Sequence, residues 1–251
     1  MIKGRYVYCI LEGEKKSDIG NIGLFDTSVY TIGHKDIKAI VSVIPFKETQ
    51  ANVDNIVAHQ RVVEASRKIG TTLPVRFGVI IKTEDGVKNL LVKSYKDFRS
   101  KITKFKDKDE FGVRVIFDKN NTEKINHSKH NNSDEIKKIK KEMSSVGNGA
   151  AYFLKMKMDE AIKNEKLKKI DTMVGEIHNY LAISADDSKL LKTDIDQVIL
   201  NASYLIKKKD HDDFNLKLKK LQEKYKSEGL TFHQSGPWAP YSFCWGESWF
   251  S

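Results

Sequence analysis

The segment "EFGVRVIFD", Glu110 to Asp118, marks the point where the pattern of the chain changes. Val113, Val115 and Phe117 fall on alternate positions, one side of an extended chain, so the segment reads as a strand. From here the order is strand, helix, strand, strand, helix, strand. The first helix is expected from about residue 150 to 182, where Leu167, Ile170, Val174, Ile177 and Leu181 recur at spacings of three and four. Strands follow around "ISADDSKLLK" and "DQVILNASYLIKKK". A helix over "DHDDFNLKLKKLQEKY" then carries Phe214, Leu218, Leu221 and Tyr225 on one face, and "LTFHQS" is the last strand. This is the β-α-β-β-α-β, ferredoxin-like order, an antiparallel sheet with two helices on one face.

Upstream the chain is also α+β, in a different order. "GRYVYCILEG" alternates and reads as a strand ending at Gly13, and "SVYTIGHKDIKAIVSVIPF" as a hairpin turning near Gly33 to Asp36 and closed by Pro45. Asn52 or Asp54 caps a helix to about Gly70, with Ile56, Val63 and Ile69 among its apolar positions. "TTLPVRFGVIIKT" is a buried extended segment. Thr83 starts one further helix, whose stripe of Val87, Leu91, Tyr95, Phe98 and Ile102 runs unbroken. The expectation is an α+β protein of two domains: a mixed α+β domain over 1–108 and a ferredoxin-like domain over 109–251, with the boundary near Lys108. Residues 119–145, rich in asparagine and lysine, read as a flexible insertion with one short exposed helix at its end.

Of the 44 basic residues only six are arginine, and the net charge of +10 is spread over both halves. Arginine is the preferred side chain for bidentate phosphate and base-edge contacts, so the charge is not by itself a nucleic-acid footprint. No apolar run approaches a membrane span or a signal peptide, which points to a cytosolic protein. Cys9 and Cys244, at opposite ends, fit a reducing compartment and lack metal-ligand spacing.

Candidate site residues are few. Arg76, in "LPVRFG", lies between apolar neighbours; it reads as an edge-strand arginine with its head in water or as a functional contact. His59, in "VAHQRVVE", is three residues after Ile56 and four before Val63, which favours a satisfied core histidine over a catalytic base. "HSKH", residues 127–130, lacks the cysteine or carboxylate partners of a metal site. No phosphate-binding loop, serine elbow or zinc spacing is present, so neither catalytic residue, cofactor nor metal is assigned. An RNA-binding module is the rival reading, because aromatic residues on a ferredoxin-like sheet stack bases. Its strand should carry glycine–aromatic pairs, and "QVILNASYLI" offers Tyr204 alone. A small-molecule enzyme using His59 and Arg76 is a third.

"YVYCIL", "AIVSVIP", "HQRVVEA", "TLPVRFGVI", "GAAYFLKMKMDE" and the closing "GPWAPYSF" occur in an order that resembles the gas vesicle protein F/L family, GvpF and GvpL. The resemblance covers the chain apart from the insertion; one departure is Ala239, where the family ending has the first of two prolines. It implies a non-enzymatic accessory protein of buoyancy organelles, without cofactor. Such a protein would bind the small hydrophobic shell protein and other accessory proteins during nucleation and assembly, and would stand as a minor component of the shell. The motif residues it carries over, as structural or interaction candidates, are Pro74, Arg76, Phe77, Gly78, Gly236, Pro237, Pro240, Tyr241 and Phe243. In the tail, 235–251, the prolines are expected to hold an extended path that does not prolong the sheet. Trp238, Tyr241 and Phe243 are expected to anchor it at the junction of the two domains.

Overall fold

The sequence "KGRYVYCILE" folds into β1 (Lys3–Glu12), and its six consecutive buried residues, Tyr6 to Leu11, define the architecture around it. A strand can be apolar on both sides only if both faces of its sheet are covered. The structure, a computed structural model, describes residues 2–13, 19–117, 134–144 and 148–245. β1 pairs antiparallel with β3 (Ile37–Pro45), β4 (Thr72–Pro74) and β5 (Ile80–Ile81), and β3 with β2 (Val29–His34), giving the order β2-β3-β1-β4 with β5 also on β1. The register slips between Val7 and Cys9. That bulge places Tyr8 and Cys9 together on the side of Tyr6 and Leu11, while Val7 and Ile10 face the other way.

One face is covered by α1 (Val53–Arg67), capped by the Asn52 side chain, which accepts from the Asn55 N–H at 2.9 Å. Its inward positions are Asn55, His59, Val62, Val63 and Ser66. Ile56 and Ile69, expected inside, are instead about half exposed. The helix turns a partly polar face inward because the sheet beneath it presents tyrosine hydroxyls that need partners.

The other face is covered by α2 (Glu84–Lys93) and α3 (Tyr95–Phe105). The single helix expected here breaks at Ser94, whose φ of −101° and ψ of 10° leave the helical region. The apolar stripe continues across the break, and Val87, Leu91, Phe98 and Ile102 are all buried. Tertiary packing thus preserves a periodicity that the backbone interrupts.

The remaining strands, β6 (Lys108–Phe117), β7 (Asp187–Leu190), β8 (Val198–Lys207) and β9 (Leu230–Trp238), form a second sheet in the order β7-β8-β6-β9. α4 (Asp134–Met143), α5 (Asn148–Ala182) and α6 (His211–Tyr225) complete the α+β chain, with α7 (Tyr241–Cys244) at its end. β9 is longer than expected and takes in Gly236, Pro237 and Trp238, so the tail's first residues do prolong the sheet. The central part of the insertion, 119–133, lies outside the described residues. The helix at its end is α4, and it is not wholly exposed: Ile136 and Ile139 are buried with Leu154 and Ala161 of α5. Leu167, expected in the apolar seam of α5, is 49 % exposed, whereas Ile177 and Leu181 are buried.

By its contacts the chain divides into two compact units. One comprises Met1–Phe111, Leu205–Lys208 and Gly236–Ser251, the other Gly112–Tyr204 and Lys209–Ser235. The tail from Gly236, grouped by sequence order with residues 109–235, therefore belongs by contacts with the N-terminal sheet. In the second unit the Tyr204 hydroxyl is 3.0 Å from His178 Nδ1, and its ring lies 5.5 Å from that of Phe214. The Tyr225 hydroxyl donates to Glu176 at 2.6 Å.

Phe98 is fully buried between α3 and the sheet. Phe98→Ala is expected to destabilise the protein by about 3–5 kcal/mol, read as a lowered midpoint in urea unfolding.

Candidate functional site

The eleven candidate residues all fall in the first unit, around the face of β1 that meets α1 and along the returning tail. Pro74 ends β4, and the chain then turns. Arg76 lies past the strand, exposed, so it is a turn residue and not a strand residue with a buried charge. Gly78 has φ of +93°, a conformation that a side chain disfavours. Its N–H donates to the Tyr6 hydroxyl at 3.0 Å. Phe77 packs edge-on against Tyr6 and His59, with ring centroids 6.0 and 5.8 Å apart.

His59 is buried, and its Nδ1 is 2.9 Å from the Tyr6 hydroxyl. That oxygen already accepts from Gly78, so the tyrosine O–H donates to Nδ1 and the ring proton sits on Nε2, on the side of the Val75 carbonyl. Nε2 itself makes no well-formed hydrogen bond. Burial is the main cause that pushes the imidazole down to about 4, so the ring is neutral at physiological pH. Gly78, Tyr6 and His59 form one relay tying the "LPVRFG" turn to β1 and α1. Tyr8 closes the other end: its hydroxyl meets Ser42 Oγ at 2.8 Å and accepts from the Leu24 N–H at 2.8 Å. Burial raises the phenol of Tyr6 above its ordinary range and pushes the Cys9 thiol up to about 12, so both stay protonated.

The tail returns over this region. Gly236 has φ of +112°, and a Cβ there would come within 2.6 Å of the Glu110 carbonyl oxygen. The Pro237 carbonyl accepts from Arg67 Nη1 at 2.9 Å. Arg67 Nη1 also reaches Glu64 at 2.6 Å and its Nη2 reaches Asp109 at 2.7 Å, with the arginine side chain 16 % exposed. Ala239 and Pro240 are buried. The Tyr241 hydroxyl donates to Gln60 at 2.8 Å, and burial raises its phenol. Glu110 accepts from both the Ser242 N–H, at 2.8 Å, and the Ser242 hydroxyl, at 2.6 Å. Phe243 and Cys244 enter the core with Leu73, Phe98 and Leu205, and the Trp245 indole N–H donates to the Pro74 carbonyl.

Trp238, expected as an anchor, is 40 % exposed at the end of β9. Trp245 does that work instead, its ring edge-on to Phe98 at 6.0 Å and under the Lys101 ammonium at 4.6 Å. Arg67, Asp109, Glu110 and Ser242 escaped the sequence reading because such charges read individually as solvated. Tyr6 and Tyr8, two hydroxyls two residues apart on a strand, were the available signal that polar partners lie on one face.

Three outcomes follow from this geometry. Arg67→Ala removes the ion pairs to Glu64 and buried Asp109 and the bond to the Pro237 carbonyl, and should cost roughly 2–3 kcal/mol of unfolding free energy in chemical denaturation. Gly236→Ala meets backbone atoms at positive φ and should lower the thermal midpoint, whereas Gly20→Ala, where no atom lies within 4 Å of the added Cβ, should do so less. His59 takes up a proton at about 4 when folded and near its ordinary 6.5 when unfolded. Its contribution is therefore complete above about pH 6.5 and lost as pH falls toward 4, by up to about 3 kcal/mol, an increment absent in His59→Gln.

The chain was compared with known proteins. The family model for gas vesicle synthesis protein GvpL/GvpF matches residues 4–245. Gas vesicle protein L1 of Halobacterium salinarum is 22 % identical over 257 residues, covering 96 % of this chain and 90 % of that protein. Gas vesicle protein F of a Streptomyces species is 24 % identical, covering 95 % and 98 %. The crystal structure of the gas vesicle protein GvpF from an Anabaena species superposes with a TM-score of 0.78 at 21 % identity, covering 98 % of this chain and 99 % of that one. That of GvpF from Microcystis aeruginosa gives 0.75 at 18 % identity, covering 98 % and 100 %. The shared fold, and a match that runs through the turn, the histidine helix and the returning tail, place this chain in the gas vesicle synthesis protein GvpL/GvpF family.

Proposed function

We propose that this protein is a non-enzymatic assembly and structural protein of gas vesicles. In this reading it acts in the cytoplasm and at the vesicle, binds the small hydrophobic shell protein and other accessory proteins during nucleation and assembly, and stands as a minor component of the shell. The observation that carries the reading is the family match over residues 4–245. The geometry supports it in two further ways. The candidate residues of the two family motifs and His59 are largely occupied in holding the tail and turn together. His59, the best acid–base candidate in the sequence, is a neutral buried ring bonded to Tyr6. The C-terminal part from about residue 109 is read as ferredoxin-like, supported by its element order β6-α5-β7-β8-α6-β9 and strand order β7-β8-β6-β9.

The RNA-binding alternative loses its main residue: Tyr204, the aromatic that would have to stack a base, is fully buried beside His178 and Phe214. Among the described residues no helix is long and apolar enough to cross a membrane.

The test is capture of the purified full-length protein by immobilised shell protein encoded in the same gene cluster, with vesicle formation scored after deletion and complementation of the gene. Specific capture and loss of vesicles on deletion are expected. Absence of capture, together with normal vesicles in the deletion strain, overturns the reading.

A further inference from the structure

The first half of α5 packs on α4 through Leu154 and Ala161, with Ile136 and Ile139 opposite. On the side turned away, the sequence repeats a motif: "KMK" at Lys155–Lys157 and "KLK" at Lys166–Lys168. Eleven residues advance a helix three turns plus about 20°, so the two triplets share one face about 16 Å apart. Met156 and Leu167 are 55 % and 49 % exposed. Tyr152, 72 % exposed, and Phe153, 57 % exposed, extend the apolar surface toward the helix start. Lys157 lies over the Phe153 ring at 4.8 Å and Lys166 over Phe117 at 5.1 Å. Lys155 and Lys157 flank Met156 along the helix and the exposed Lys168 follows Leu167, while Lys166 is turned toward Phe117 of β6. Between the triplets the exposed Asp159 and Glu160 interrupt the basic surface, which resumes at the exposed Lys163.

We propose that this face of α5 docks an acidic amphipathic helix of a partner protein. Such a helix would present two apolar side chains about three turns apart, each flanked by carboxylates, with a cationic residue opposite Asp159 and Glu160. The charge pattern selects this occupant. Flanking lysines pair with carboxylates and discriminate against basic partners, while methionine and leucine supply an adaptable apolar contact. An anionic lipid surface or a nucleic-acid backbone would face the two carboxylates at the centre of the patch, and the described part of α5 offers neither of them an arginine. The inference rests on the reading that this protein works by binding other proteins, and it specifies one surface and one partner chemistry.

The probe is a fluorescein-labelled synthetic helix with leucines eleven residues apart, each flanked by glutamates, titrated with the full-length protein and followed by anisotropy. Saturable binding is expected that weakens about tenfold between ~50 and ~300 mM salt. The K155E/K157E/K168E variant should lose about tenfold or more, and M156S/L167S should lose binding as well, with wild-type circular dichroism and unfolding midpoint. K155A/K157A/K168A, which adds no charge, reads the same way should the reversed variant misfold. The proposal is overturned by absence of saturable binding or by unchanged affinity of the charge variants. It is equally overturned by tighter binding to phosphatidylserine–phosphatidylcholine vesicles or to poly(U) RNA than to the peptide. Absence of shell-protein capture together with normal vesicles in the deletion strain sinks the assembly reading but leaves the peptide titration to decide this surface.

Discussion

Arg67 is the point on which the first unit depends. Its guanidinium is nearly enclosed, so its charge must be met by fixed acceptors, and three converge on it: Glu64 one turn back on the same helix, Asp109 at the start of β6, and the Pro237 carbonyl of the returning tail. Only Glu64 is close to Arg67 in sequence. The planar guanidinium meets all three at once, two at Nη1 and one at Nη2, in a fixed fork geometry that a rotating lysine ammonium would not impose. One step along β6, Glu110 takes both hydrogen bonds offered by Ser242. The tail is therefore held by charge-assisted bonds to Glu110 and to Arg67, which itself pairs with the adjacent Asp109.

Around this clasp the polar relay of Gly78, Tyr6 and His59 does related work for the "LPVRFG" turn. Burying three hydroxyl- or imidazole-bearing rings beneath α1 would be costly if each lacked a partner. Here a backbone N–H in an uncommon glycine conformation supplies Tyr6 and Tyr6 meets His59, while Tyr8 finds Ser42 and the Leu24 N–H. The motif residues are thus explained largely by internal satisfaction. This is why the turn and tail residues identify a family more directly than they identify a binding surface; the exposed residues proposed to meet a partner lie on α5, partly within the "GAAYFLKMKMDE" block.

Much of the fold was legible in the sequence because the hydrophobic period was strong. Val113, Val115 and Phe117 are buried together, as are Phe214, Leu218, Leu221 and Tyr225, and the stripe from Val87 to Ile102 reaches the core. The errors share a cause. Ile56 and Ile69 were expected inside α1 because they are apolar, yet the inward face is chosen by what the sheet needs, and it needs His59 and Ser66. Ser94 breaks a helix whose side-chain pattern does not register the break. Trp238 is the large aromatic of the tail motif but sits on exposed strand, while Trp245, outside the motif, packs against the core.

What the sequence alone determined is the local grammar: which segments are strand or helix, that a helix is capped at Asn52 or Asp54 and another at Thr83, and which family carries these blocks in this order. Only the tertiary structure decided the partners. Arg67 with Asp109 and Pro237, Glu110 with Ser242, Tyr6 with His59 and Pro74 with Trp245 are separated by 42 to 171 residues. Periodicity reports only the environment that a side chain shares with its near neighbours along the chain. The satisfaction of a buried charge or hydroxyl is a long-range condition, met by whichever distant group the fold brings within about 3 Å.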